Sequence, residues 1–378
     1  MKIGMKKLFA IGLLVACCVL LDACKNDSDK DDDGVVWIEH VVDAVYVVNA
    51  GNAAASIPAS ITVVDVKNHR ATQDLYRTQN GSDMVSTPSD MVTAWLSKRI
   101  LVVYPDKDLL EEIDGQTMKS LKKISTTGLF GDKGKGPRKM MWHWKNLLVL
   151  TDAGYVLSFS SDALEAVDAY EVGPGATAMY TTKENAIEVL HSGQGTEAPC
   201  ISGVSFYGSS APYTVTSELL TNPVEYIRVY DDRYAAFILN AGTDGKAGSV
   251  IQRRWGQEPE LLKIADATFA CNGNDNKGTA LYMVNTSAAG AKPTYSKYNI
   301  ETNTVSTFIE DGEKYPTAIA ADDAYRNTIC VTSRPSADQN STANGHVAIY
   351  DHEGQLQGKY EVGVNPSLID FGYVMVYE

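Results

Sequence analysis

The sequence predicts an all-β fold, a seven-bladed β-propeller with four-stranded blades, from two offset repeats and a set of apolar runs. The first repeat is a short β-run closed by a turn-forming residue, and consecutive copies lie 43 to 52 positions apart. The closing residues are Asp65, Asp114, Ser160, Gly208, Gly256, Asn299 and Asp351. A period in the forties built from strands and turns is typical of a propeller.

The second repeat consists of prolines that precede short apolar runs. Proline cannot donate to a β-ladder, so it belongs at the first residue of a strand or in the turn before it. The sequence therefore predicts blade boundaries at Pro88, Pro137, Pro174, Pro223, Pro316 and Pro366. One further proline expected near residues 265–268 is missing.

Strongly apolar runs lie between each boundary proline and the following turn residue. Their β-branched and aromatic content indicates strands buried on both faces. We assign them to the second strand of each blade: 99–105, 146–152, 185–191, 234–240, 279–285 and 327–333.

The two ends of the chain are predicted to meet in one closing blade. Residues 43–76 contain β-runs but no proline-led first strand, whereas residues 366–371 supply one. Such closure removes the free sheet edges that invite aggregation. Two segments, 373–377 and 45–49, remain alternatives for the second strand of this blade.

The N-terminal segment predicts a lipoprotein. Residues 1–23 combine early lysines with an apolar run of about 14 residues, shorter than the roughly 20 that a spanning helix needs. The following LDAC sequence resembles a bacterial lipobox and predicts lipidation at Cys24. Residues 24–34 then form an acidic tether, and residues 35–378 form a single propeller domain.

Composition and motifs narrow the function. The formal net charge of −14 argues against nucleic-acid binding, which requires clustered lysine and arginine. No nucleophile, phosphate-binding or zinc motif is present, so we expect a non-catalytic protein without a metal or cofactor. Cys200, Cys271 and Cys330 are expected to be small buried hydrophobes, although one disulfide between two of them stays open.

Unequal loops direct attention to one face of the propeller. Turns between first and second strands are short, whereas the connections on the opposite face are long, and we call that side the long-loop face. It comprises residues 50–60, 79–88, 125–137, 192–199, 240–248, 285–293 and 333–345. Binding residues usually lie on loops held by a rigid scaffold, so the ligand site is predicted there.

The candidate ligand-binding residues stand where strands enter the long-loop face. They offer amide and guanidinium donors with interleaved aromatic rings, which suits a large polar ligand. The set is Asn49, Asn52, Tyr104, Asp106, Lys107, Phe130, Arg138, His191, Asn240, Asp244, Asn285, Tyr315 and Arg334.

Several segments, among them YVVNAGN (46–52), QNGSDM (79–84) and GPRKM (136–140), resemble the YncE-like seven-bladed propeller lipoproteins of Bacteroidetes. The resemblance covers nearly all of the mature chain. It implies anchoring at the outer membrane, facing the cell exterior, and the acidic stretch after Cys24 resembles the export signal of such lipoproteins. The family includes a surface lipoprotein that captures cobalamin and caps a TonB-dependent corrinoid transporter.

The resemblance favours a capture protein as the leading hypothesis. Such a protein would hold a corrinoid such as vitamin B12 at the long-loop face and pass it to a TonB-dependent transporter. Binding of a siderophore, a glycan or a protein partner is the alternative within the same fold. A propeller hydrolase or lactonase is a third hypothesis, because a fold alone does not fix function.

Overall fold

The computed structural model describes residues 38–94, 98–182, 186–193, 197–205, 211–228, 235–242, 247–254, 260–275, 278–286, 291–322 and 328–377. The predicted signal peptide, Cys24, the tether and Asp244 lie outside these residues. Val41–Val374 form the propeller, and Met1–His40 with Met375–Glu378 form a separate unit, in which the described residues are extended.

Seven four-stranded antiparallel sheets surround a central axis and confirm the seven-bladed β-propeller. The closing blade begins the chain with β1 Ile38–Asn49, β2 Ser60–Asp65 and β3 Arg70–Thr72. Blade 1 contains β4 Asp90–Ala94, β5 Arg99–Tyr104, β6 Leu109–Asp114 and β7 Ser120–Ser125. Blade 2 contains β8 Pro137–His143, β9 Asn146–Thr151, β10 Tyr155–Ser160 and β11 Ala166–Glu171. Blade 3 contains β12 Ala176–Thr181, β13 Ala186–His191, β14 Cys200–Ser205 and β15 Tyr213–Thr216.

The remaining blades follow the same order. Blade 4 contains β16 Pro223–Arg228, β17 Ala235–Asn240, β18 Ser249–Arg254 and β19 Glu260–Asp266. Blade 5 contains β20 Phe269–Asp275, β21 Gly278–Asn285, β22 Thr294–Asn299 and β23 Thr304–Ile309. Blade 6 contains β24 Pro316–Ala321, β25 Ile329–Ser333, β26 Asn344–Tyr350 and β27 Leu356–Val364, and β28 Pro366–Tyr377 completes the closing blade.

Short helices occupy some connections of the long-loop face. Two are α-helical, α1 Leu75–Asn80 and α2 Thr126–Phe130. Three are 3₁₀ turns, η1 Ala53–Ala55, η2 Pro105–Lys107 and η3 Gly131–Gly134. No helix of the described chain is long and apolar enough to span a membrane.

The boundary prolines stand where the sequence places them. Four are the first residues of inner strands: Pro137 in β8, Pro223 in β16, Pro316 in β24 and Pro366 in β28. Pro88 and Pro174 each precede an inner strand by two residues. The inner strand of blade 5 begins at Phe269, close to the position where the proline is missing.

The core lies between the faces of neighbouring blades. Between blades 1 and 2, for example, Leu101 and Val103 of β5 pack in one cluster with Leu147 and Val149 of β9, all at most 1% exposed. Each such side chain contributes roughly 1.5–3 kcal/mol through burial. The second strands are therefore buried on both faces, as their apolar runs predict.

The closing blade has the strand order β28-β1-β2-β3. The inner strand comes from the C-terminus and the outer three come from the N-terminal segment, as predicted. Of the two alternatives for the second strand, the structure selects residues 45–49 in β1, whereas residues 373–377 continue β28. Backbone bonds from Ala50 to Asn365 (2.8 Å) and from Gly51 to Val364 (3.0 Å) tie the two chain segments together.

The three cysteines of the described chain are free thiols, so the disulfide left open by the sequence is not formed. Cys330 is fully buried in β25, and Cys200 and Cys271 are half-buried. Burial raises the pKa of the Cys271 and Cys330 thiols above the ordinary value. Both thiols are therefore protonated and unreactive at neutral pH.

Candidate functional site

Three charged side chains occupy the same level of the inner strands, at the end of the central channel that opens on the long-loop face. They are Asp90 of β4, Lys139 of β8 and Glu225 of β16, and we call them the channel trio. Each pairs with the penultimate residue of the second strand in its blade. The trio therefore brings blades 1, 2 and 4 together near the axis.

The local backbone explains how two of these side chains reach the channel. Lys139 and Glu225 each follow a β-bulge that comes directly after the boundary proline, with Arg138 or Val224 as the extra residue. A bulge increases local twist and redirects the side chain that follows it. The proline fixes the beginning of the strand, and the bulge sets the direction of the charged residue.

Lys139 and Glu225 form an ion pair across the position of blade 3. The residue at this level in β12 is Ala178, which pairs with the penultimate residue of β13 and is 1% exposed. The side chains of Lys139 and Glu225 remain 25% and 36% exposed, so the pair stays accessible to water in the channel.

Asp90, the third member of the trio, also links two neighbouring blades. One of its carboxylate oxygens accepts a hydrogen bond from the backbone N–H of Met140 at 2.6 Å. An inner strand pairs with only one other strand of its sheet. The N–H groups on its unpaired edge therefore need hydrogen-bond acceptors from a neighbouring blade. Asp370 does the same for the N–H of Thr93, also at 2.6 Å.

The electrostatics of the trio differ from those of solvated groups. Desolvation in the channel raises the pKa of Asp90 to about 6, partly offset by Lys139 and reinforced by Glu225. Desolvation opposes the charge of Lys139, but the carboxylates of Glu225 and Asp90 outweigh it and raise the pKa of the lysine. With all three groups ionised the trio carries one net negative charge.

Four of the residues predicted from the sequence are buried in framework contacts. The hydroxyl of Tyr104 donates to Glu111 at 2.7 Å, and His191 contacts Ser202 at 2.7 Å. Asn240 donates to the carbonyl of Leu219 at 3.0 Å. These three residues and Asn49 are between 0% and 8% exposed. These four residues therefore lie within the framework of the propeller, and their role in ligand binding stays a prediction.

Four other predicted residues lie at the surface in local contacts. Asp106 accepts from Ser86 at 2.8 Å and pairs with Lys107 at 3.4 Å. Asn52 donates to the carbonyl of Asn340 at 2.8 Å, which fixes one loop to another. The fourth is Arg138, whose guanidinium pairs with Asp152 at 2.5 Å, one residue before Lys139.

The remaining described candidates are spread around the ring. Phe130 packs edge-on against Phe159 with ring centroids 5.2 Å apart, beside the core between blades 1 and 2. The backbone N–H of Arg334 donates to Tyr315 at 3.0 Å, which places these two residues together in blade 6. Asn285 ends β21 and is half-buried. Among all the candidates, only Arg138 adjoins the channel trio in sequence.

A sequence signal for the channel trio exists, although the long-loop argument misses it. Asp90, Lys139 and Glu225 each stand two residues after a boundary proline. The residue two positions after each of the other three boundary prolines is alanine or leucine. A charge at a position that is otherwise small or apolar, close to the axis of a propeller, would have identified the site.

The described residues include no group of three or more histidine, cysteine or acidic side chains that could hold a metal ion. The trio itself offers one ammonium donor and two carboxylate acceptors.

Comparison with known proteins supports the fold. No family model matches the chain, and no curated protein matches it by sequence. Solved structures do resemble it. One is a protein provisionally named a 6-phosphogluconolactonase from Bacteroides uniformis, with a TM-score of 0.56, 13% identity, and coverage of 87% of this chain and 99% of that chain.

Two further structures show the same likeness. A protein from Lactobacillus plantarum gives a TM-score of 0.58 at 14% identity, covering 87% of this chain and 99% of its own. Apo AztD from Citrobacter koseri gives 0.55 at 10% identity, covering 91% of this chain and 99% of its own. These neighbours are seven-bladed propellers, so the YncE-like architecture expected from the sequence is confirmed at the level of fold.

Proposed function

We propose that this chain is a non-catalytic binding protein that holds a polar ligand at the long-loop mouth of the central channel. The observation that carries the proposal is the channel trio. Three blades place charged groups on one level, and the side chains of Lys139 and Glu225 keep about a quarter to a third of their surface exposed. A rigid scaffold that fixes donors and acceptors in advance loses little ordering entropy when a ligand binds.

The charge of the trio limits the ligand class. Two carboxylates outnumber one ammonium, and Lys139 is already paired with Glu225. An anionic group placed here would meet net repulsion, whereas a neutral ligand with amide or hydroxyl groups could use both the donor and the acceptors. We therefore expect a neutral polar ligand or a cationic one.

Corrinoids meet this requirement through their peripheral amide groups, and the sequence resemblance names the same class. We propose vitamin B12 as the first ligand to test, with a TonB-dependent outer-membrane transporter as the partner that receives it. No cofactor of the protein itself takes part in this scheme.

The replacement Lys139→Met tests the ligand site. Loss of one charge-assisted hydrogen bond costs about 1.5–3 kcal/mol, so cyanocobalamin should bind roughly 10- to 100-fold more weakly. Lys135→Met removes an equal charge from an exposed position of the same face, away from the channel trio, and should leave affinity within about 2-fold. Both variants and the unmodified protein would be compared by isothermal titration calorimetry.

The competing ligands are distinguished in the same experiment. A siderophore titrated in parallel, and then a set of oligosaccharides, would show whether another class binds the trio. Equal affinity of the Lys139→Met and Lys135→Met variants would place the ligand elsewhere on the molecule. Absence of heat with every small ligand would favour a protein partner.

A hydrolase is the second candidate, favoured by one observation. A carboxyl whose pKa lies at about 6 can exchange protons near neutral pH, as a general acid or base must. A neighbour in fold carries a lactonase name, but at 13% identity that likeness extends to the fold alone. Hydrolysis of a sugar lactone by the purified protein, abolished in Asp90→Asn, would favour this candidate over capture.

We also propose that the protein is held at the outer membrane, facing the exterior, by a lipid on Cys24. The support is the lipobox-like LDAC sequence and the acidic stretch that follows it. The Cys24→Ser variant lacks the thiol to which the lipid is attached. It should therefore shift from the membrane fraction to the soluble fraction, because the acyl chains supply the membrane affinity. Membrane fractionation with detection by mass spectrometry checks this, and Cys200→Ser is the matched control.

A further inference from the structure

We infer a second binding site, separate from the channel, that accepts one neutral monosaccharide unit. It is a cavity of about 210 Å³ on the long-loop face. Its walls come from the β1–β2 connection, the segment that follows β3, and the ends of β26 and β27. The cavity therefore lies between blade 6 and the closing blade, and the channel trio takes no part in it.

The cavity combines an apolar floor with a polar rim. Buried residues that include Ala59, Tyr76 and Met84 form the floor. Gln73 and Asp74 belong to the rim and keep solvent contact. This distribution is typical of small-molecule sites, where apolar walls supply contact and a few polar groups fix orientation.

Two amides of the rim are already held in place. Asn344 donates to Glu361 at 2.9 Å and to Gln73 at 3.5 Å, and Gln73 donates to the same carboxylate at 3.4 Å. Arg77 pairs with Asp83 at 2.5 Å on the other side of the cavity. Most polar side chains of the rim are thus oriented before any ligand arrives.

Asp74 is the exception on this rim. Its backbone adopts the left-handed conformation, with φ of 58°, and its carbonyl accepts hydrogen bonds from the backbone N–H and the hydroxyl of Thr78, both at 3.0 Å. Its exposed carboxylate forms no capping bond and accepts no hydrogen bond within the described part of the chain, although its charge acts on Arg77. The carboxylate is therefore available to accept a hydrogen bond from a ligand hydroxyl. The apolar floor, the oriented amides and this available acceptor together carry the inference.

The chemistry of the rim selects the ligand class. Asp74 and Asp83 outweigh Arg77, so the rim is net negative and disfavours phosphates and carboxylates. Carboxylate and amide oxygens accept hydrogen bonds from neighbouring hydroxyl groups, and amide N–H groups return them. The volume is below the 300–1,000 Å³ typical of drug-sized ligands, which limits the occupant to about one sugar ring.

The test uses the full-length protein and neutral methyl glycosides, followed by saturation-transfer NMR and calorimetry. We expect at least one glycoside to bind with a dissociation constant in the millimolar range or below. Asp74→Asn should weaken that affinity about 10-fold or more, while the fold is retained because asparagine tolerates the left-handed conformation. Asp132→Asn is the control, since it removes the same charge from an exposed position of the same face outside the cavity.

Two further arms complete the test. Oligosaccharides that end in the same sugar show whether the ligand is a free monosaccharide or the terminal unit of a glycan. They bind only if the opening of the cavity leaves room for the sugar units that follow the terminal one. Lys139→Met should leave glycoside binding unchanged, since the channel is a different site. Failure of every glycoside to saturate the protein, equal weakening by Asp132→Asn, or preference for a sugar phosphate would each overturn the inference.

Discussion

Replacement of Glu188 by alanine is expected to lower the free energy of unfolding by about 3–5 kcal/mol. The carboxylate lies in β13 with no solvent exposure, and it pairs with Arg253 at 3.0 Å. It also accepts hydrogen bonds from the hydroxyls of Tyr213 at 2.5 Å and Tyr226 at 3.2 Å. The replacement takes this carboxylate away from a guanidinium that is 2% exposed, and the loss of that buried ion pair outweighs the lost side-chain contacts.

Chemical denaturation followed by circular dichroism measures this effect. Asp311→Ala is the matched control, because it removes a carboxylate from an ion pair with Lys292 at the surface, where side chains are 57% and 95% exposed. That change should leave the free energy of unfolding nearly unchanged, because solvent screens the exposed pair. The double replacement Glu188→Leu with Arg253→Met should recover part of the loss, since a buried pair can often be exchanged for apolar groups. A cost near 1 kcal/mol for Glu188→Ala would contradict this account.

The second large effect is a pH dependence that Asp90 imposes on stability. In the folded protein its pKa is about 6, against an ordinary value of 3.8. Between these two pH values the unfolded chain releases a proton that the folded chain keeps, so stability falls as pH rises. The full penalty, reached above about pH 6, corresponds to about 3 kcal/mol at 1.36 kcal/mol for each pKa unit. It is absent below about pH 4.

The variant Asp90→Asn isolates this contribution, because the amide oxygen can still accept the hydrogen bond from Met140 while the charge is lost. Compared with the unmodified protein, it should gain stability steadily from about pH 4 to about pH 7. The titratable groups that act on Asp90 in the channel, Lys139 and Glu225, remain in both proteins. Asp162→Asn, a change in an exposed turn, should show no such trend. A difference that does not vary with pH would refute the assignment.

The fold could be predicted from the sequence because its determinants are local and repeated. A proline at the first residue of a strand, an apolar run and a turn residue recur in most blades, and each acts through its own backbone geometry or burial. The order of strands in the closing blade was harder. Residues 45–49 and 373–377 are both β-prone, and only ring closure decides which of them pairs with the first strand.

The residues of the candidate site are harder to predict from the sequence than the fold. Tyr104 and Asn240 stand at strand ends beside long loops, and the sequence therefore suggests that they are exposed. In the structure both are buried, and their hydrogen-bond acceptors, Glu111 and the Leu219 carbonyl, come from other segments of the chain. The channel trio is marked in the sequence only by its offset of two residues from a boundary proline. That its three side chains share one level near the axis depends on how three inner strands pair in separate blades. Asp74 likewise becomes notable only once its conformation and the cavity beside it are known.

The closing blade joins the two chain segments inside one sheet. β1 lies between β28 and β2, and the backbone bonds from Ala50 to Asn365 and from Gly51 to Val364 fix the same junction at the long-loop face. The two segments can separate only if a β-ladder and these bonds break together. Opening of the ring at this point would expose two sheet edges at once, and the closed ring keeps both of them paired.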